Sequence, residues 1–128
     1  MFPINNLYKD LLTTKGQCYI IGEAVRNNLL GLYTPRVEVV VNNVTQGQLL
    51  TMFTKHASIN KSNQTKNTLK FTYKDVEYMF IISQANNNVQ FDEDVRKLLR
   101  QKYFTLNALA YNLRTQRWIE NYDAMRDI

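Results

Sequence analysis

Glycine and charged residues next to predicted strands are the part of this chain that could do chemistry. The segment Tyr19–Gly31 reads YIIGEAVRNNLLG, in which an apolar strand ends at Gly22 and passes into a helix. Such a turn places backbone amides and the positive end of a helix dipole where a phosphate could bind. Tight strand-to-helix turns also use glycine for steric reasons alone, so this segment by itself is weak evidence for a phosphate site.

Arg36 and Glu38 are a second candidate pair. They alternate with valines in the run 36–41, which predicts a largely buried strand. Because side chains two residues apart in a strand point to one side, both charges should share a face. Glu77 lies in another apolar run, Val76–Ile82, which also predicts a strand. Two glutamates on neighbouring strands could bind one cation weakly, but pairing with Arg36 explains them without a metal.

Two basic stretches are candidates for nucleic-acid binding. The first lies in the segment 39–74, which contains no acid and carries Lys55, His56, Lys61, Lys66, Lys70 and Lys74. RNA phosphates could bind there, with Phe53, Phe71 and Tyr73 as stacking partners, or the lysines could protect a solvated sheet edge. The second consists of Arg96, Lys97, Arg100 and Lys102. It fits either a binding face or an ordinary exposed helix face.

Composition limits the class of protein. The chain has 128 residues, of which 45% are hydrophobic, so it can build one core and forms one domain. Its net charge of +5 weakly favours anionic partners. Cys18 is the single cysteine and His56 the single histidine, which excludes an internal disulfide and a structural zinc site. No run approaches the ~18 apolar residues of a membrane span, and the first ten residues lack a signal-peptide pattern. We therefore expect a cytoplasmic protein without membrane partners.

The elements that must position these residues follow from apolar periodicity. Helices are predicted around residues 4–12, 24–30, 49–53 and 98–99, and the last of them has acids 92–94 at its first turn. Strands are predicted at residues 18–21, 37–41, 68–73, 76–82, 109–112 and 117–121. Strands and helices interleave, which is typical of an α/β domain. We expect a mixed, mainly antiparallel sheet of about five strands with helices packed on one side.

Three ordered segments resemble the motifs of one enzyme family. The glycine segment is similar to G-G-x-V-R-D-x-L-L-G, and alignment on its last three residues puts Arg36 and Glu38 at the aspartates of the D-x-D that follows. Lys102–Tyr111, KYFTLNALAY, resembles R-R-D-F-T-I-N-A-L-A-Y, and Glu77 falls on the glutamate of E-V-T-T-F-R. Together these segments resemble the head, the N-terminal catalytic domain, of tRNA nucleotidyltransferases (CCA-adding enzymes) and bacterial poly(A) polymerases.

The resemblance implies the nucleotidyltransferase head fold and metal-dependent addition of nucleotides to RNA 3′ ends. Carboxylates on adjacent strands would hold Mg²⁺, and here only Glu38 and Glu77 could do so; with Arg36 they are the vestigial catalytic positions. The residues that would bind nucleotide or phosphate are Gly22, Glu23, Arg26, Lys102 and Asn107.

Four departures from the family pattern argue against this reaction: Glu23, Asn27, Arg36 and Tyr103. A guanidinium has no lone pair for a metal and repels it. Glu23 puts a negative side chain where glycine would let the backbone approach a triphosphate. We therefore predict a degenerate, non-catalytic domain that binds RNA, a nucleotide or a protein partner, with no cofactor. The alternative is an active, Mg²⁺-dependent tRNA nucleotidyltransferase or poly(A) polymerase head.

The family would continue past the head into a helical neck, a body and a tail. We expect residues 1–128 to be a single head domain with these parts absent. The face that a neck would cover could then bind a protein partner or a second copy of the chain.

Overall fold

The computed structural model describes residues 6–14, 16–22, 27, 31, 35–55, 67–102 and 109–120. The helices are α1 (Asn6–Leu12), α2 (Gln46–Phe53) and α3 (Asn88–Lys102). The strands are β1 (Cys18–Ile21), β2 (Arg36–Val41), β3 (Thr68–Tyr73), β4 (Val76–Ile82), β5 (Leu109–Asn112) and β6 (Arg117–Glu120). The helix predicted over 24–30 lies outside the described residues, apart from Asn27.

The strands form one sheet in the order β3-β4-β2-β1-β5-β6. The neighbours β2 and β4 run parallel, and the other neighbouring pairs run antiparallel. The predicted α/β class and mixed, mainly antiparallel sheet are therefore confirmed, with six strands where about five were expected. The parallel pair joins strands far apart in sequence, with α2 and β3 between them.

Helices α1 and α2 cover one face of the sheet. Leu11 of α1 and Leu49 and Phe53 of α2 belong to one core cluster with Val39 and Phe80, and each of these five side chains is at most 2% exposed. The Phe53 ring lies 4.8 Å from that of Phe80, centroid to centroid.

This core rules out one of the two alternatives for the first basic stretch, in which Phe53 and Phe71 stack on RNA bases. Phe53 is 0% exposed and Phe71 6% exposed, and their rings pack against each other with centroids 5.3 Å apart. Phe71 alternates along β3 with exposed residues, so the strand's period of two directs it into the core.

The long helix α3 covers the opposite face. Its residues Phe91, Val95 and Leu99, each 0% exposed, pack in a second cluster with Ile21 and Val40. The helices therefore lie on both faces, whereas the sequence analysis placed them on one. The physical reason is that consecutive valines 39–41 are all buried, so both sides of β2 need a cover.

Side-chain bonds attach α3 to the sheet. The helix begins at Asn88, so the acids predicted for its first turn lie beyond that turn. They bond to the sheet instead: the Tyr19 hydroxyl donates to Asp92 Oδ1 at 2.8 Å, and the Ser83 hydroxyl donates to Asp94 Oδ2 at 2.7 Å. Burial raises the pKa of Tyr19 to about 12, so its phenol stays protonated and donates at neutral pH.

Candidate functional site

The three residues that the resemblance places at the catalytic centre lie on adjacent strands. Arg36 and Glu38 are on β2 and Glu77 is on β4, and Arg36 is the register partner of Glu77. Side chains alternate along β2, so Arg36 and Glu38 share the face of Val40, which packs with α3. The fold thus brings the three residues together at one end of the parallel pair.

An ion pair joins the two strands at this point. Arg36 Nε lies 3.8 Å from Glu77 Oε2, and the two side chains are 75% and 53% exposed. The sequence analysis gave pairing with Arg36 as one explanation of the two glutamates, and Glu77 is paired with Arg36 here. An exposed pair of this length contributes about 0–1 kcal/mol to stability, so its main effect is to place a cation beside the carboxylate.

The residues at this site do not fit a two-metal centre. A divalent ion needs oxygen, nitrogen or sulfur lone pairs, and a guanidinium offers none. Among the residues that the structure describes, no group of three or more His, Cys, Asp or Glu could hold a metal ion. The described residues thus lack the ligands for a metal-dependent step at this site.

The predicted glycine turn lies at the same end of these strands as the charged residues. Gly22 follows Ile21, which is the register partner of Glu38 across β1 and β2. Its φ of 78° lies in the left-handed region, which explains the glycine sterically. The candidate residues Glu23, Arg26 and Asn107 lie outside the described residues, and Lys102 ends α3 with its side chain undescribed.

Basic residues from both stretches lie on the face that carries Glu38. Lys70 of β3 is the register partner of Met79, which is in turn that of Glu38. Between β4 and α3 lies a groove of about 320 Å³ with apolar Ile81 and charged Lys97 among its lining residues. The groove was not predictable, because β4 and α3 become neighbours only when the sheet forms.

Other candidate residues have structural roles or are not described. Lys74 Nζ lies 5.3 Å from the centroid of the Tyr73 ring, so Tyr73 carries a cation on its face. Burial raises the pKa of Cys18 to about 12, which keeps its thiol protonated and a poor nucleophile or metal ligand. His56, Lys61 and Lys66 lie outside the described ranges.

Across the described ranges, no helix is both long enough and apolar enough to cross a bilayer.

Comparison with known protein families identifies one family for this chain. The family model of the poly A polymerase head domain matches residues 18–128. No curated protein matches significantly.

Solved structures of similar fold come from larger proteins. A CCA-adding enzyme in apo form I has a TM-score of 0.71 and 20% identity over 94% of this chain and 29% of its own. The Thermotoga maritima CCA-adding enzyme complexed with tRNA has a TM-score of 0.67 and 20% identity over 94% and 28%. A tRNA nucleotidyltransferase complexed with a primer tRNA and an incoming ATP analog has a TM-score of 0.68 and 19% identity over 94% and 36%. The chain thus spans about a third of the length of these proteins.

Proposed function

Because the chain belongs to the poly(A) polymerase head domain family, we propose that it is a non-catalytic member that acts by binding RNA. The observation that carries this proposal is the ion pair of Arg36 with Glu77, at strand positions where the family resemblance requires metal-binding carboxylates. A permanent positive charge there opposes the binding of two divalent ions. Glu38 and Glu77 alone leave the site short of the ligands that a two-metal reaction uses.

The charge distribution supports RNA as the partner. The chain has a net charge of +5, and Lys70, Lys97 and Arg100 are exposed. Lysine and arginine contacts to phosphates supply affinity that does not depend on sequence. Two proteins of similar fold were solved with tRNA. RNA binding without catalysis uses these residues and needs no metal.

A transfer assay tests the absence of catalysis. The chain is incubated with labelled ATP or CTP and a short RNA, in Mg²⁺ and separately in Mn²⁺, and we expect no incorporation because Arg36 excludes the metal ions. Incorporation that disappears in Glu38→Ala but persists in Glu93→Ala, an exposed acid of α3, would overturn the proposal. That result would establish the alternative, an active head that uses the carboxylates on β2 and β4.

A salt titration tests RNA binding. We expect the affinity for a single-stranded oligonucleotide, measured by fluorescence anisotropy, to fall steeply as salt rises. Replacing both Lys97 and Arg100 with alanine should reduce the slope of log affinity against log salt by about 1.4. The reason is that each phosphate contact on a single strand contributes about 0.7 to this slope. Lys9→Ala, an exposed lysine of α1 on the other side of the sheet, is the control and should leave the slope unchanged. A flat salt profile in the wild-type chain would contradict RNA binding through these residues.

A further inference from the structure

The carboxyl ends of the parallel strands β2 and β4 lie next to each other. Val41 and Ile82, the last residues of the two strands, are register partners. From there the chain passes to α2, which packs on one face, and to α3, which packs on the other. In open α/β sheets a crevice opens where the connections from adjacent parallel strands diverge to opposite faces, and ligands bind there.

A crevice of about 560 Å³ lies at this point. Residues from both connections line it, and this volume is within the range of small-molecule sites, roughly 300–1,000 Å³. Val44, Ile82 and Ala85, each 8% exposed, supply apolar lining. The rest of the lining is mostly amides and hydroxyls, and none of the described residues that line the crevice is charged.

Two of the lining amides donate hydrogen bonds to neighbouring segments of the chain. Gln84 Nε2 donates to Asn67 Oδ1 at 3.2 Å, and Gln46 Nε2 donates to the Thr68 carbonyl at 2.7 Å. The first bond uses one donor and one acceptor, so the Gln84–Asn67 pair keeps a carbonyl oxygen and an amino group for a ligand. A ligand would therefore meet a donor and an acceptor that this bond already brings together, which lowers the entropy lost on binding.

The lining determines what kind of ligand fits. The first turn of α2 is capped by its own residues, because Thr45 Oγ1 accepts from Gln48 N at 3.1 Å and Gln48 Oε1 accepts from Thr45 N at 2.8 Å. Among the described lining residues, a phosphate would thus find neither a cation nor an uncapped helix end. A carboxamide offers a planar donor and acceptor side by side, which matches the edge of a base, and an apolar floor suits a flat ring.

We propose that this crevice binds a nucleobase, either from a free nucleoside or from an RNA strand. The crevice lies about 17 Å from Arg36 and Glu77, since five steps of about 3.3 Å each separate Arg36 from Val41 along β2. The proposal therefore does not rest on whether the amino ends of these strands are catalytic.

Nucleosides are the probes that isolate this chemistry, since they carry no phosphate for the lysines to bind. Titration of the chain with adenosine, guanosine, cytidine and uridine, followed by heteronuclear NMR or calorimetry, should give a dissociation constant of about 1 mM or tighter for at least one of them. The combined change Asn67→Ala and Gln84→Ala should weaken that binding about tenfold or more. Both residues are exposed, so the fold should persist. The matched control is Gln90→Ala, an exposed amide of α3 outside the crevice, which should bind as the wild type does.

A second variant fills the space instead of removing the amides. Gly47 lines the crevice, and a Cβ there would meet only Thr45 Oγ1 at 3.9 Å, so Gly47→Leu should fold and should abolish binding. A hexanucleotide that competes with the bound nucleoside identifies an RNA strand as a source, and one that does not compete identifies the free nucleoside. The proposal is overturned if none of the four nucleosides binds, or if the two amide changes and Gly47→Leu leave the affinity at the wild-type value.

Discussion

Replacing Gly16 with alanine should remove most or all of the stability of the folded chain. A Cβ built on Gly16 overlaps the carbonyl oxygen of Asn42, which is a backbone atom and cannot rotate away. Asn42 is itself 0% exposed and fixed, since its Oδ1 accepts from Gln17 N at 2.7 Å. We expect a loss of more than about 4 kcal/mol, the range reached when a core clash forces backbone to move. Folded domains have only about 5–15 kcal/mol in total.

Bonds on the other side of Gly16 prevent the loop from relaxing. The Arg114 guanidinium donates to the Gly16 carbonyl from Nη2 at 2.9 Å and to the Thr14 carbonyl at 2.6 Å. Arg114 follows β5 and Asn42 follows β2, so the clash would disturb connections on both sides of β1.

Urea unfolding followed by circular dichroism measures this effect. Gly47→Ala is the matched control, because its Cβ meets nothing closer than 3.9 Å and alanine favours the helix by up to about 1 kcal/mol. An unfolding midpoint for Gly16→Ala close to that of the wild type would show that the Gly16–Asn42 approach is wider in solution.

Replacing Arg36 with aspartate should turn the site on β2 and β4 into a cation site. The change removes the guanidinium that lies 3.8 Å from Glu77 and puts a carboxylate on the face of Glu38. Unit charges 4 Å apart interact by about 1 kcal/mol in water, and here the charge changes by two units near a divalent ion, so affinity should rise at least about tenfold. We expect no nucleotidyl transfer in this variant, since Glu23, Asn27 and Tyr103 still depart from the family pattern.

Electron paramagnetic resonance of Mn²⁺ gives the affinity directly, and thermal unfolding gives a second readout. Without metal, the three clustered carboxylates repel one another and should lower the melting temperature, and Mn²⁺ should restore it. Arg117→Asp makes the same charge change at an exposed position on β6. This control should neither raise the affinity for Mn²⁺ nor make the melting temperature depend on Mn²⁺. Equal Mn²⁺ affinity in the wild type and Arg36→Asp would mean that the guanidinium does not control metal binding, and the non-catalytic proposal would lose its basis.

Local periodicity predicted the strands that carry the candidate site and the strand face that Arg36 and Glu38 share. Alternation along 36–41 placed Arg36 and Glu38 on one side, and the apolar run at 76–82 identified the strand of Glu77. The same rule did not separate a binding aromatic from a core one, so stacking of Phe71 on RNA stayed an open alternative although its side chain faces the core. Which face of a strand is buried depends on the helix that covers it, and that helix comes from elsewhere in the chain.

The crevice between the connections that follow β2 and β4 could not be predicted from local sequence patterns. The asparagines at 42–43 and 86–88 mark turns in the sequence, and they do so equally in any fold. Asn43 and Asn86 line one cavity only because β2 and β4 pair in parallel and their connections leave to opposite faces. The residues of the two turns determine neither the strand pairing nor the direction in which each connection leaves the sheet.

The amino-acid sequence by itself determined the chemical identity of each position: a guanidinium at residue 36, the glycine that the turn at 22 requires, and the family motifs around them. These are covalent or short-range properties, set by residue type and by a period of two. The tertiary structure decided that Glu77 is the acid beside Arg36 and that both faces of the sheet are covered. Register between strands some forty residues apart is set by burial of the whole apolar surface, which no local segment contains.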